Sequence, residues 1–229
     1  MLDIVREYWL LLLIGQYPNG PLGGLALSLI LAILGLAFSL PLSLVIAMGR
    51  VSPIRWISFI TAQFVRVIRG MPLLMLIFWA YFVVPKLLGS SVSGFTTLVC
   101  ALVIYQAAYL AEVIRGGIEA IPAGQIEASR SMGASYFMTM RKVVLPQALF
   151  NVLPGLTNQF VSTVKETSLG YVISVNELTF SANQVNNLVL TQPLQVFGIL
   201  AIVYFVVCFS LSRSLRWLDV RVRQARAMA

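Results

Sequence analysis

The chain has 229 residues, of which 59% are hydrophobic and only 10% charged, and its mean hydropathy is +0.89. A water-soluble domain of that composition would precipitate, so lipid is its solvent and a polytopic membrane protein is its class. The net charge of +8 does not indicate nucleic acid, because the sixteen basic residues sit mainly between apolar runs instead of forming one patch.

The first apolar run, Tyr8 to Ile14, is too short to cross a bilayer, and Asp3 and Glu7 spoil the basic start of a cleavable signal. An uncleaved interfacial segment is expected, broken by Gly15, Pro18, Gly20 and Pro21. With charges as boundaries, longer apolar stretches follow at 22–49, 56–85, 87–111, 143–164 and 194–212. A crossing helix needs roughly 20 mostly apolar residues, so the expected fold is all-α: a bundle of five transmembrane helices forming one domain over 1–229.

Near the start of the second stretch, Arg66 and Arg69 stand three residues apart on one helical face just before Pro72. They either snorkel to lipid phosphates or face inward, where they would neutralise a carboxylate or hold a gate. At the end of the third stretch, Glu112 has Arg115 at i+3, the spacing of an ion pair.

The next segment, 118–142, interleaves Ile121, Ile126, Met132, Tyr136, Phe137 and Met140 with Glu119, Glu127, Arg130, Arg141 and Lys142. That pattern predicts one or two short amphipathic helices, with Pro122 at a start. The small residues Ala128, Ser129, Gly133 and Ala134 let another backbone come close. A protein partner fits such a surface; a helix lying on lipid headgroups is the alternative.

In the fourth stretch Asn158, Ser162 and Lys165 follow helical spacing, and Gln159, Thr163 and Glu166 form the adjacent stripe. A polar stripe on a membrane helix looks inward, as hydrogen-bond glue or as a wet pathway. The ionisable pair favours the pathway, with a Lys165–Glu166 ion pair at the outer interface as the plainer reading. Arg66, Arg69 and Lys165 outnumber Glu112 and Glu166, which favours an anionic substrate over a cationic one.

Orientation follows from the basic residues. With the N-terminus outside, Arg50, Arg55, Arg115, Arg130, Arg141, Lys142, Arg213, Arg216, Arg221, Arg223 and Arg226 fall on the cytoplasmic face, leaving only Arg6 and Lys86 opposite. Cys100 and Cys208 each lie inside an apolar run and read as small hydrophobes. None of the lysines completes a G-x-x-x-x-G-K-[ST] phosphate loop, and there is no histidine for nucleophile pairs, zinc motifs or proton relays. An energy source for active transport must therefore lie in another polypeptide or in coupled ions.

Glu127-Ala128-Ser129, three residues, Gly133, nine residues, Val143, one residue and Leu145-Pro146 resembles the E-A-A-x3-G-x9-I-x-L-P motif of ATP-binding-cassette importer permeases. Ser129 and Val143 are the two departures. Ala107-Ala108-Tyr109, Ala111-Glu112, Arg115-Gly116-Gly117-Ile118, Arg69-Gly70-Met71-Pro72-Leu73 and Lys165-Glu166-Thr167-Ser168-Leu169 look like the polar-amino-acid branch, and Arg69 to Pro72 with Val83-Val84-Pro85 like its glutamate/aspartate members.

This resemblance implies the type I importer permease fold, with the loop 118–142 as a cytoplasmic coupling helix. Glu127, Ala128, Ser129 and Gly133 would then sit in a groove of a separate ATPase subunit. It further implies a second permease chain, identical or related, two ATPase subunits that bind ATP and magnesium, a periplasmic solute-binding protein and an amino-acid substrate, with glutamate or aspartate the first reading and glutamine or another polar amino acid the second. This chain would itself carry no cofactor, no metal and no catalytic residue, and would lie in the bacterial inner membrane. An ion-coupled secondary transporter is the rival, which would show inverted repeats and charged midplane sites. A membrane scaffold is the third reading, and it leaves the loop motif unexplained.

Overall fold

The structure is a computed structural model that describes residues 1–227, apart from the side chains of 88, 222, 223 and 225–227. Of the basic residues used for orientation, Arg223 and Arg226 therefore lie outside the described side chains. The chain is built from α1 (Leu2–Ile14), α2 (Gly24–Arg50), α3 (Arg55–Gly70), α4 (Leu73–Phe78), α5 (Val84–Leu88), α6 (Gly94–Glu119), α7 (Ala123–Ser131), α8 (Tyr136–Thr139), α9 (Leu145–Glu166), α10 (Leu178–Val189) and α11 (Pro193–Ala227). Widened helical turns at Trp79–Val83 and Met140–Val144 join α4 to α5 and α8 to α9, and a tight 3-10 turn at Thr167–Ile173 follows α9.

The centre of the bundle is α6, flanked by α2 and α9. On α2 the small residues Ser28, Ala32, Gly35, Ser39 and Ser43 recur every three or four positions and are all buried. Helices in lipid gain little from apolar burial, so they associate where small side chains let backbones approach and van der Waals contact is dense. A Cβ on Gly35 would lie 3.2 Å from Leu102 Cβ on α6, which shows how close the two helices come. Ser39 and Ser43 return their hydroxyls to the carbonyls of Leu36 and Leu40, so the stripe buries no unpaired polar group there. The opposite faces carry exposed Ile33, Phe38 and Val45 on α2 and Ile202, Phe205 and Phe209 on α11, which suit acyl chains.

Two expected spans change shape. The stretch at 56–85 is not one helix: α3 and the run that follows it are bent by 101°. Pro72 has no N–H to give a helix and pushes Met71 into an extended conformation, so the helix ends at Gly70. α3 is amphipathic, with Trp56, Phe59, Ile60, Phe64 and Val67 exposed and Gln63, Arg66 and Arg69 among them in sequence. The third stretch starts at Gly94, where Ser93 Oγ accepts the Thr96 N–H at 3.1 Å, and runs on to Glu119. Among the described residues, α2, α6 and α11 are each long and apolar enough to cross a membrane, and the bent pair makes a fourth candidate. α9 falls short on composition because it carries the polar stripe.

At the end of the bundle where α2 begins, the connection between α9 and α11 is pinned to it. Gly24 N–H donates to Asn176 O at 2.9 Å, and Leu178 N–H donates to Ser28 Oγ at 3.0 Å. Glu177, fully buried, caps α10 by accepting the N–H groups of Thr179 and Phe180 at 2.8 and 2.9 Å, and it accepts the Tyr204 hydroxyl at 3.2 Å. Burial pushes this carboxyl up to about 7 against the pull of those hydrogen bonds. Between its ordinary value and about 7 the folded chain holds a proton that the unfolded chain has released, so stability falls as pH rises through that window. A loss on the order of 3 kcal/mol is expected from pH 4.5 to 7.5. Thermal unfolding in detergent should show it, and Glu177→Gln should flatten it; a slope unchanged in that variant would assign the effect elsewhere.

Candidate functional site

Three polar features stand out against the apolar bundle. The first is the loop after α6. Ser129 is 5% exposed and shares a hydrogen bond of 3.0 Å with Thr139 Oγ1, which folds α7 onto α8. Ile126 packs against the core cluster that includes Ile118 on α6, Ile121 after it, and Met140 and Val144 in the widened turn before α9. Tyr136 donates to Val51 O at 3.0 Å, and Gln147 Nε2 donates to Gln125 Oε1 at 2.6 Å, so the loop is tied to α2 and α9 as well.

Its other face is open. Glu127 and Ala128 are exposed, Met132 is 82% exposed and Phe137 69%. Gly133 has φ of +82°, a left-handed conformation that favours glycine, and a side chain added there would meet nothing of this chain within 4 Å. The arrangement is a loop braced on one side and open on the other. Of the four residues expected to couple, Glu127, Ala128 and Gly133 belong to the open face, whereas Ser129 points inward and joins α7 to α8.

The second feature lies between α6 and α9. Gln106, fully buried, donates to Glu166 Oε2 and accepts from Gln159 Nε2, so three side chains form one hydrogen-bonded chain across the helix pair. Gln106 is the only amide in the stretch 87–111, and that isolation was the sequence signal for it. Thr163 is fully buried and returns its hydroxyl to Gln159 O at 2.8 Å, which makes it packing and not lining. Asn158 and Lys165 are exposed and Ser162 half-buried on the neighbouring face of α9, a polar surface left largely open by the described residues. No ion pair joins Lys165 to Glu166 among the described residues; the carboxylate is engaged by Gln106 instead.

The third feature is an arginine corner where α2, α3 and α6 meet. Glu112 binds Arg50 at 2.9 Å and Arg115 at 2.9 Å, with Arg69 at 3.9 Å. The expected Glu112–Arg115 pair is thus part of a larger cluster. Arg69 lies over the Tyr109 ring, 5.0 Å from its centre, and Tyr105 donates to the Tyr109 hydroxyl at 3.1 Å. Arg66 donates to Gln63 Oε1 at 2.8 Å and faces the same pocket of about 420 Å³, lined by Arg50, Arg66, Arg69, Tyr109 and Glu112. Gln106, Tyr105, Tyr109 and Glu112 lie along a stretch of α6 about 10 Å long. The second and third features are thus neighbours along α6, with Tyr105, Tyr109 and Glu112 on one face of it and Gln106 turned toward α9.

The apolar bundle thus carries two polar clusters along its central helix and a braced loop with one open face. Residues 39–224 match the family described as binding-protein-dependent transport system inner membrane component, and the chain belongs to that family. It is 36% identical over 214 residues to the probable glutamine ABC transporter permease protein GlnP of Bacillus subtilis, covering 91% of this chain and 98% of that one. It is 35% identical over 208 residues to the inner membrane amino-acid ABC transporter permease protein YhdY of Escherichia coli; the match takes in 89% of this chain but only 57% of YhdY. In three dimensions it is similar to a chain of an amino acid ABC transporter crystallised with histidines, at a TM-score of 0.84 and 33% identity, covering 96% of this chain and 97% of that one.

Proposed function

We propose that this chain is one permease subunit of an ATP-driven importer that carries an amino acid from periplasm to cytoplasm by alternating access. The observation that carries the reading is the loop of α7 and α8: it is stiff, tied to α2, α6 and α9, and bare on the face holding Glu127, Ala128 and Gly133. Five crossings, with the N-terminus outside, put that face in the cytoplasm beside Arg115, Arg130, Arg141 and Lys142. α9 crosses despite its polar stripe because a second permease chain covers Asn158, Ser162 and Lys165, so the stripe never meets lipid. Two ATPase subunits grip the loops, and a periplasmic solute-binding protein delivers the substrate.

For the cargo, Arg66, Arg69 and Lys165 against the engaged carboxylates Glu112 and Glu166 favour an acidic amino acid, glutamate or aspartate. The identity to GlnP supports glutamine as the second reading. Uptake by the reconstituted complex with competing labelled glutamate, aspartate and glutamine decides between them. Vanadate-sensitive uptake supports the importer; sodium- or proton-driven uptake by this chain alone would establish the secondary transporter.

Lys165→Ala tests the α9 face. Its ammonium group makes no ion pair among the described residues and is exposed, so its loss costs the fold little. Uptake is expected to fall about tenfold with assembly yield unchanged, as for one lost charge-assisted contact to substrate. Normal kinetics in that variant would return Lys165 to a surface role.

A further inference from the structure

We infer that the pocket at the arginine corner is an oxyanion site, built to take a carboxylate or phosphate group on Arg66 and Arg69. Its walls come from the ends of α2 and α3 and the last third of α6, and its volume is about 420 Å³, ample for such a group with part of the molecule that bears it. The charges around it do not cancel. Glu112 is the one carboxylate on the lining, against Arg50, Arg66 and Arg69, and its two oxygens are already taken at 2.9 Å by Arg50 and Arg115. Arg69 reaches Glu112 only at 3.9 Å, and its side chain remains 42% exposed. Among the described residues Arg66 has the neutral Gln63 amide as its hydrogen-bond partner and no carboxylate in an ion pair.

Two guanidinium groups thus bring donors to one cavity without a full counter-charge. Arginine presents a planar fork of donors that matches two oxygens of a carboxylate or phosphate. The fork of Arg69 is also held in advance, because it rests on the Tyr109 ring at 5.0 Å and Tyr109 is itself braced by Tyr105. Gly70 keeps the entrance clear, since nothing lies within 4 Å of where its side chain would be. Two sources can supply the oxyanion. The exposed apolar face of α3, with Trp56, Phe59, Ile60 and Phe64, would bring lipid headgroups beside Arg66. The other source is the carboxylate of a transported amino acid, beside Tyr109 and Glu112 on one face of α6; this second source rests on the transport reading above.

The test uses the assembled complex in nanodiscs, wild type and Arg66→Gln/Arg69→Gln, with Arg213→Gln as a control because that exposed arginine on α11 makes no ion pair in the described structure. If the source is substrate, the double variant raises KM for the transported amino acid at least tenfold and leaves bound lipid unchanged. If the source is lipid, KM stays within twofold, and native mass spectrometry shows the loss of phosphatidylglycerol molecules that the wild type and control retain. The inference is overturned if both KM and retained lipid match the control. Should the double variant not assemble, phenylglyoxal labelling of the wild type replaces it: phosphatidylglycerol or the transported amino acid must protect Arg66 and Arg69 at least fivefold, and equal labelling in neutral lipid without substrate overturns the site. A wild-type complex that takes up no amino acid with ATP would instead sink the transport reading while leaving the lipid outcome to be read on its own.

Discussion

Replacing Gly133 by tryptophan should abolish ATP-driven uptake by the assembled complex, by a factor of about 100 or more, while membrane insertion and thermal stability stay close to wild type. The left-handed backbone at φ +82° costs a non-glycine residue about 1–2 kcal/mol, which a bundle of this size absorbs. Among the described residues nothing lies within 4 Å of a Cβ placed there, so the ring projects from the open face toward whatever docks on it. Overpacking a close-fitting contact costs typically 1–3 kcal/mol at one residue, and on a lever a shifted dock misplaces the whole stroke. Gly133→Ala separates the two effects, because it carries the backbone strain without the bulk and should keep most of the uptake. The decisive measurement pairs ATP hydrolysis with uptake in proteoliposomes: hydrolysis continues in Gly133→Trp without transport. Undiminished uptake in that variant would show that Gly133 docks nothing.

Gln106→Leu should have the next largest effect. The leucine is close in size, so the α6–α9 packing survives, but Glu166 loses its donor and Gln159 its acceptor at one stroke. Leaving a half-buried carboxylate without its hydrogen bond costs on the order of 1–2 kcal/mol, and the helix pair would respond by letting water in or by shifting apart. A fall of at least 30-fold in uptake and a clear drop in unfolding temperature are expected. In the double variant Gln106→Leu/Glu166→Gln much of the stability should return, because the uncompensated charge is gone, whereas uptake should not if Glu166 serves the substrate path. Additive losses in the cycle would mean that the two residues do not act as a unit.

How much of this was legible in the sequence depends on the distance over which each feature is decided. The membrane class, the all-helical bundle, the boundaries of α2 and the start of α11 follow from runs of apolar residues, since a helix satisfies its own backbone and lipid imposes a fixed length; α11 runs on past the apolar stretch 194–212 to Ala227. The loop motif was legible for the same reason, as a local pattern of spacing whose small residues and breaks act within a few turns. The bend at Met71 and Pro72 was also a local event, and Pro72 was its warning. Reading 56–85 as one span gave hydropathy more weight than backbone chemistry.

Which polar side chains meet was another matter. The sequence alone determined that this protein lives in lipid, carries an amphipathic loop and has a polar stripe on α9, because composition and helical period are properties of single segments. Only the tertiary structure decided that Gln106 joins Gln159 to Glu166, that Ser129 holds the loop shut while Gly133 stays bare, and that Glu112 gathers arginines from α2, α3 and α6. Those outcomes depend on rotation and depth between helices, which small residues such as Ser28, Ala32 and Gly35 set by how closely they let α2 approach its neighbour. No spacing along one strand of text encodes the angle at which two helices cross.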